Sequence, residues 1–261
     1  MNDFFADNDW VNFSEIVEKE TDFIPLISPE DEDRMNKEEV PEKLPILPLR
    51  NNVLFPGVVI PITLGRDKSI KLIQDAYKGN KIIGVVSQKD SNKEEPQYED
   101  LYETGTVAQI MKMLKMPDGS STIIIQGKKR LKLVGKIQEE PYLIAKIEEY
   151  NEKRLLKPSK ESLALFDSLK DLALNIIKHS PNIPSEASFA IKNIESHNFL
   201  VNFISSHMNA KVEEKQQMLQ EPDINNRANL LLKHLTKELQ MLELKNDIQS
   251  TQIILFLLLN L

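Results

Sequence analysis

The chain has 261 residues, 41% hydrophobic and 28% charged, enough for one large domain or two of about 100–200 residues each. Cysteine is absent, which excludes disulfides, thiol nucleophiles, cysteine-ligated zinc and iron–sulfur clusters, and the eight glycines leave few places for a phosphate-cradling backbone. Residues 1–43 hold fourteen acidic against four basic residues, a balance of −10, so the chain's net −7 leaves +3 on the remaining 218 residues, too little basic excess for a dedicated nucleic-acid binder.

The start of the chain lacks the basic flank and apolar run of a secretory signal, and a cytoplasmic location is expected. Residues 1–43 read as an acidic, largely disordered extension, including the polar run from Ser28 to Glu39. Within it Trp10, Phe13, Ile16 and Val17 recur at helical spacing, as either a short amphipathic helix or a lightly structured tail.

From Leu44 the pattern changes to short apolar runs, and residues 44–152 are expected to be a β-rich domain. Leu44–Leu49, Val58–Thr63 and Ile82–Val86 read as three strands, whose Pro45, Pro48 and Pro61 point to sheet edges or bulges. Between them Ser69–Tyr77 reads as a short helix with Ile70, Ile73, Ala76 and Tyr77 on one face and Gly79 as its left-handed cap. Thr104–Met116 and Ser121–Val134 flank Pro117-Asp118-Gly119, a hairpin turn, and Pro141–Ile147 supplies a last strand. Several short strands with one helix predict a partly closed barrel.

Residues 158–250 are expected to be an all-helical bundle. Leu163, Phe166, Leu169, Leu172, Ala173, Ile176 and Ile177 form one helical stripe. The run Ser180–Ser185 breaks it, with Ser185 placed to cap the next helix, and Phe189, Ile191 and Ile194 and then Phe199, Leu200, Phe203 and Ile204 follow. Glu221-Pro222-Asp223 opens a last, long helix along Leu230, Leu231, His234, Leu235, Glu238, Leu239 and Leu242, with a period near 3.5. Residues 251–261 form an atypical apolar tail whose unbroken run from Ile253 to Leu259 falls short of the about 20 residues that span a bilayer, so no membrane partner is expected.

No catalytic signature is present. Gly127-Lys128-Lys129 lacks the upstream glycine and the hydroxyl of a phosphate-binding loop, and neither a G-x-S-x-G elbow nor an H-E-x-x-H helix occurs. His179, His197, His207 and His234 have no metal-ligand spacing, and Glu139-Glu140 and Glu148-Glu149 read as solvated pairs. The expectation is a chain that is not an enzyme, with no cofactor and no metal.

Three features suit binding. Met111, Met113 and Met116 crowd one strand, and flexible thioether side chains tolerate many apolar partners; alternation puts Met111 and Met113 on one face and Leu114 and Met116 on the other. The run Lys128–Lys132, across the hairpin from Lys112 and Lys115, reads as a solvated strand face or as a surface for phosphate or an acidic tail. Leu54-Phe55-Pro56-Gly57 presents a large aromatic in a Pro-Gly loop, either exposed as a contact or plugging the barrel end.

These residues also carry a family likeness. The stretch Leu44–Gly57, then Gly65–Ser69, Thr104–Ile110 and Leu114–Gly119, and then Glu221–Asp223, Arg227 and Glu238–Lys245 resemble the amino-terminal domain of bacterial Lon proteases, over residues 44 to about 249. The resemblance implies an α+β fold: a PUA-like β-rich pseudo-barrel with one short helix, followed by a helical bundle ending in a long helix. It implies a non-catalytic region that selects unfolded or damaged proteins and contributes to hexamer assembly, with the ATPase and the serine–lysine protease elsewhere in such enzymes. The acidic 1–43 segment extends before the family core, and the apolar 251–261 ending stands where the family continues as a polar helix, as a truncated or frame-shifted end or an artificial boundary would give. Leu54, Phe55, Met111, Met113 and Met116 are the candidate substrate contacts. Two rival readings stay open: a purely structural spacer or oligomerisation domain, and an RNA-binding PUA-like module, against which the near-neutral folded part argues.

Overall fold

The computed structural model describes residues 27–116, 120–150, 152–153, 158–180, 183 and 186–259, with side chains in the last helix as far as Ile248. The helix expected around Trp10–Val17, the turn Pro117–Gly119, the cap Ser185 and the side chains of the apolar tail lie outside the described residues.

The polar run expected to be disordered opens with a helix, α1 (Pro29–Lys37). The Ser28 side chain accepts from the Asp31 amide, Pro29 occupies the first turn, Glu30, Asp31 and Glu32 face the helix N-terminus, and Arg34 and Lys37 sit in the last turn. These are the complete start and stop signals of a helix, and they act without an apolar stripe.

Six strands follow: β1 (Lys43–Leu49), β2 (Val59–Leu64), β3 (Ile82–Ser87), β4 (Thr104–Lys115), β5 (Ser121–Gln138) and β6 (Ile144–Glu149). Their order is β2-β5-β4-β3-β1-β6, and β6 also pairs with β5, so five strands close into a ring with β2 added along the first half of β5. The 18-residue length of β5 makes this possible: residues 121–126 pair with β2 and residues 131–138 with β6.

Pro61 lies on β2, which pairs only with β5 and is an edge strand, as expected. Pro45 and Pro48 depart from the expectation, because β1 lies between β3 and β6. The physical reason is a division of the strand: residues 43–45 pair with β6 and residues 46–49 with β3. Each half has one ladder only, which leaves a side where proline needs no donor.

The helix after β2, α2 (Asp67–Lys78), buries Leu72 and Ile73 against the sheet. Gly79 is not its left-handed cap, since its φ is −97°. Lys81, at φ 60°, takes that role: its amide, like that of Gly79, bonds the Ala76 carbonyl, and its ammonium lies over the Tyr77 ring.

The second half holds α3 (Lys160–His179), α4 (Glu186–Asn193), α5 (His197–His207), α6 (Val212–Gln220) and α7 (Ile224–Leu259). Ser159 and Ser196 cap α3 and α5, and Asp223 accepts from the amides of Asn225 and Asn226 at the start of α7. Helix α5 is buried nearly all round, between the barrel and the other helices. Helix α6 carries no clear apolar period and buries only Gln216, Met218 and Leu219, with Val212 against the core and Lys215 donating to the Ser206 carbonyl.

Barrel and bundle share one apolar core that runs from Leu54, Phe55 and Ile125 to Phe166, Phe199 and Leu231, while a second cluster around Leu44, Ile46, Leu131 and Ile147 fills the barrel. Gly57 (φ +84°) lies at the joint, where a β-carbon would approach the Phe199 ring to 2.7 Å.

A buried polar seam crosses the same joint. Arg130 of β5 donates from Nη1 to the Glu221 carbonyl at 3.1 Å, and its Nε lies 3.1 Å from Glu152. Asn202 of α5 accepts from Arg130 and, at 3.0 Å, from Arg227, and donates to the Pro56 carbonyl. Gln216 donates to the Thr104 carbonyl and the Tyr150 hydroxyl to that of Gln220. Burial draws the Arg130 pKa down, and Glu152 pushes it back up.

Candidate functional site

The five candidate contacts separate into two groups. Leu54 is 2% exposed and Phe55 fully buried. The Leu54 carbonyl accepts from the Thr106 hydroxyl at 2.6 Å, and the Phe55 backbone passes so close to Gly127 that a β-carbon there would lie 2.3 Å from the Phe55 carbonyl oxygen. The loop therefore plugs the barrel end, and neither residue is a surface contact. The Pro56-Gly57 turn reverses the chain inward because Gly57 takes the left-handed conformation.

The methionines behave differently. The β4–β5 ladder slips between Ile110 and Lys112, so Met111 has no partner on β5 and is the extra residue of a β-bulge, 51% exposed. The bulge breaks the alternation that put Met111 and Met113 on one face, yet both reach solvent. Met113 stands opposite Ile123 at the rim of the core face and is 38% exposed. Met116 is half-buried, and its amide donates to the Ser120 carbonyl. Leu114 pairs with Thr122, and beside them Pro61 is exposed and Ile124 half-buried, so the hairpin end presents adaptable apolar groups on both of its faces.

The basic run is solvated at Lys132 but not along Lys128–Arg130. Lys129 and Arg130 are buried, and Lys128, Lys129 and Arg130 pair with Glu38, Glu149 and Glu152 at 3.4, 3.2 and 3.1 Å. A phosphate here would have to compete with carboxylates already in place, which weakens the nucleic-acid reading.

The histidines are tied into the bundle. His179, His207 and His234 reach the carbonyls of Asn175, Phe203 and Asn209, and His197 stacks on Phe166 at 4.3 Å. Burial lowers the pKa of His207 and of His197. Among the described residues no cluster of His, Asp and Glu is placed to hold a metal, and no helix is long and apolar enough to cross a membrane.

Two exposed apolar features were not read from the sequence. Phe189 shares an apolar run with Ile191 and Ile194, yet it is 69% exposed on α4 while they are buried. On α7 the buried seam runs through Ala228, Leu231 and Leu235, and Met241, Leu244 and Ile248 form an exposed stripe on its outer part. Their spacing of three and four residues was the signal that the period near 3.5 contained.

The architecture is that of solved Lon amino-terminal domains. The N-terminal domain of a Mycobacterium avium complex Lon protease aligns with 74% of this chain and 98% of its own at a TM-score of 0.62 and 17% identity. That of Xanthomonas campestris aligns with 73% and 96% at 0.52 and 18%. At such identities the likeness is one of fold. In sequence, residues 43–237 match the family model of the ATP-dependent protease La (LON) substrate-binding domain. The chain is 58% identical to the Lon protease of Flavobacterium johnsoniae over 89% of its own length and 28% of that protein, and 49% identical to that of Cytophaga hutchinsonii over 88% and 28%. The chain belongs to the Lon substrate-binding domain family, and it spans about a quarter of the length of the curated relatives it matches.

Proposed function

We propose that this chain is the non-catalytic receiving region of a Lon-type, ATP-dependent protease, and that it holds exposed apolar segments of unfolded or damaged proteins at the end of the β4–β5 hairpin. The observation that carries the reading is the exposure of Met111 at its bulge and of Met113 beside it, in a domain of the substrate-binding family. Thioether side chains adapt to many apolar surfaces, and transferring each buried CH2 from water contributes about 0.8 kcal/mol. A few such contacts give weak binding, which several copies in one assembly would strengthen by avidity. The stripe Met241, Leu244 and Ile248 favours a second role in assembly, as a surface for another copy of the chain.

The test is a titration of a labelled, permanently unfolded polypeptide with the full chain, read by fluorescence polarisation. Saturable binding at micromolar to high-micromolar concentration, reduced at least tenfold by Met111→Asp with Met113→Asp, supports the reading. A set of unfolded polypeptides that all fail to bind, or binding that the double variant leaves unchanged, overturns it.

A further inference from the structure

The acidic helix α1 and the basic run of β5 meet at the joint of barrel and bundle, away from the hairpin end. Ile27 and Met35 are buried there, and the other side chains of α1 are exposed or half-buried. A cleft of about 180 Å³ remains between the helix and the joint, walled on one side by Glu32 and Met35 and on the other by Gly57, Arg130, Phe199 and Asn202.

Two carboxylates hold α1 in place. Glu38 lies 3.4 Å from Lys128 Nζ, on a lysine whose side chain is only 12% exposed. Glu32 accepts a hydrogen bond from the Ser196 hydroxyl, which itself caps α5, so this carboxylate sits at the positive end of a buried helix. With Met35 between them, Glu32 and Glu38 form an acidic–apolar–acidic pattern at intervals of three residues.

The cleft fits that pattern by charge. Apart from α1 it holds three cations, Lys128, Lys129 and Arg130, against two carboxylates, Glu149 and Glu152, and Phe199 supplies an apolar wall. Adding Glu32 and Glu38 reverses the balance.

The Glu32 contact is nonetheless poorly compensated. Among the described residues Glu32 has no ion-pair partner. Burial pushes its carboxyl above the ordinary value, hydrogen bonds from Ser196 and Asn198 oppose the rise, and Glu152 and Asp33 add to it. Because the docked state binds the proton more tightly, α1 is held most firmly below that ordinary value and loosens as pH rises through the raised one.

We propose that the surface beneath α1, which forms the other walls of this cleft, is a docking site for an acidic helix, that α1 is its resident occupant, and that a partner helix of the same chemistry displaces it. The partner is recognised by a carboxyl group that accepts from Ser196, a flexible apolar side chain and a carboxylate facing Lys128, the pattern that α1 and its C-cap residue Glu38 already present. The site is separate from the methionine-bearing hairpin, and the proposal stands whether or not that hairpin binds substrate.

The probe is a labelled synthetic peptide of residues 27–42, titrated into the full chain and into its Met35→Asp variant. The variant, its own helix displaced, is expected to bind the peptide at least tenfold more tightly than the unchanged chain, and Lys128→Glu added to it is expected to abolish the gain. Hydrogen exchange of the unchanged chain gives a reading independent of any core damage by Met35→Asp. The amides of α1 are expected to exchange at least a hundredfold faster than those of α5, and Glu32→Gln, which keeps an acceptor for Ser196 without the charge, to slow them. Equal binding by chain and variant, no binding by a variant of unchanged circular dichroism, α1 exchanging as slowly as α5, or a dimer that exchanges α1 between copies would each overturn the proposal.

Discussion

The loop Leu54–Gly57 and the end of the β4–β5 hairpin, Met111–Met116, present similar chemistry: large apolar side chains at the end of the sheet, each next to a turn. They end on opposite sides of the protein surface. The loop turns inward because Gly57 is left-handed and Gly127 lacks a side chain, which together let Phe55 reach the shared core. The hairpin has no such passage, and the bulge at Met111 rotates its side chain to solvent. Composition alone does not distinguish a plug from a contact surface. What decides is whether the backbone on the facing strand leaves room.

The sharpest way to break this contrast is truncation. Phe55→Ala is expected to cost about 3–5 kcal/mol of unfolding free energy, whereas Met111→Ala changes it by less than about 0.5 kcal/mol. Urea unfolding of both variants checks it. A small loss at Phe55 would mean that the loop is not a plug.

The seam sharpens the contrast from the polar side. Arg130→Met removes the donor to the Glu221 carbonyl and Asn202 and leaves Glu152 without its cation, at an expected cost of about 3 kcal/mol. Lys112→Met at the exposed hairpin end is expected to stay within about 0.5 kcal/mol. Thermal or urea unfolding distinguishes the two directly.

The smallest expected effect concerns acidity. Burial lowers the folded pKa of His207 below its ordinary 6.5, so the folded state binds fewer protons than the unfolded one. The stability this contributes is complete above that ordinary value and is lost as the pH falls through it toward the folded pKa. His207→Gln is therefore expected to reduce the fall in Tm between about pH 7.5 and about pH 5.5, while Met113→Gln, at the hairpin, leaves that fall unchanged.

Most of the architecture was legible because its signals are local. The strands from Leu44 to Ile147, the stripe of α3, and the cap at Asp223 that opens α7 follow from periodicity and terminal residues. The helix around Ile73 does too, although its ending passed from Gly79 to Lys81 through two amides sharing one carbonyl. α1 and α6 were not read, since each buries very few side chains and neither has a continuous apolar stripe. The capping residues around Ser28 were the available sign for α1. The prolines of β1 depart from the expectation because no local feature tells that one strand divides its two edges between two partners.

The candidate site was legible in part. The methionine cluster is visible in the sequence, but its exposure depends on a slip of register between Ile110 and Lys112 that only the paired strand reveals. The burial of Arg130, Asn202 and Arg227 is hidden for a related reason: their hydrogen-bond partners are 25 to 146 residues away in the chain.

The central claim, that unfolded polypeptide is held at the hairpin end, is tested most directly by methyl NMR of the methionines in the full chain. Adding an unlabelled, permanently unfolded polypeptide is expected to shift the methyl signals of Met111, Met113 and Met116 and to leave those of the buried Met35, Met208 and Met218 in place. Shifts confined to Met241 on α7, or no shifts at saturating polypeptide, would contradict it.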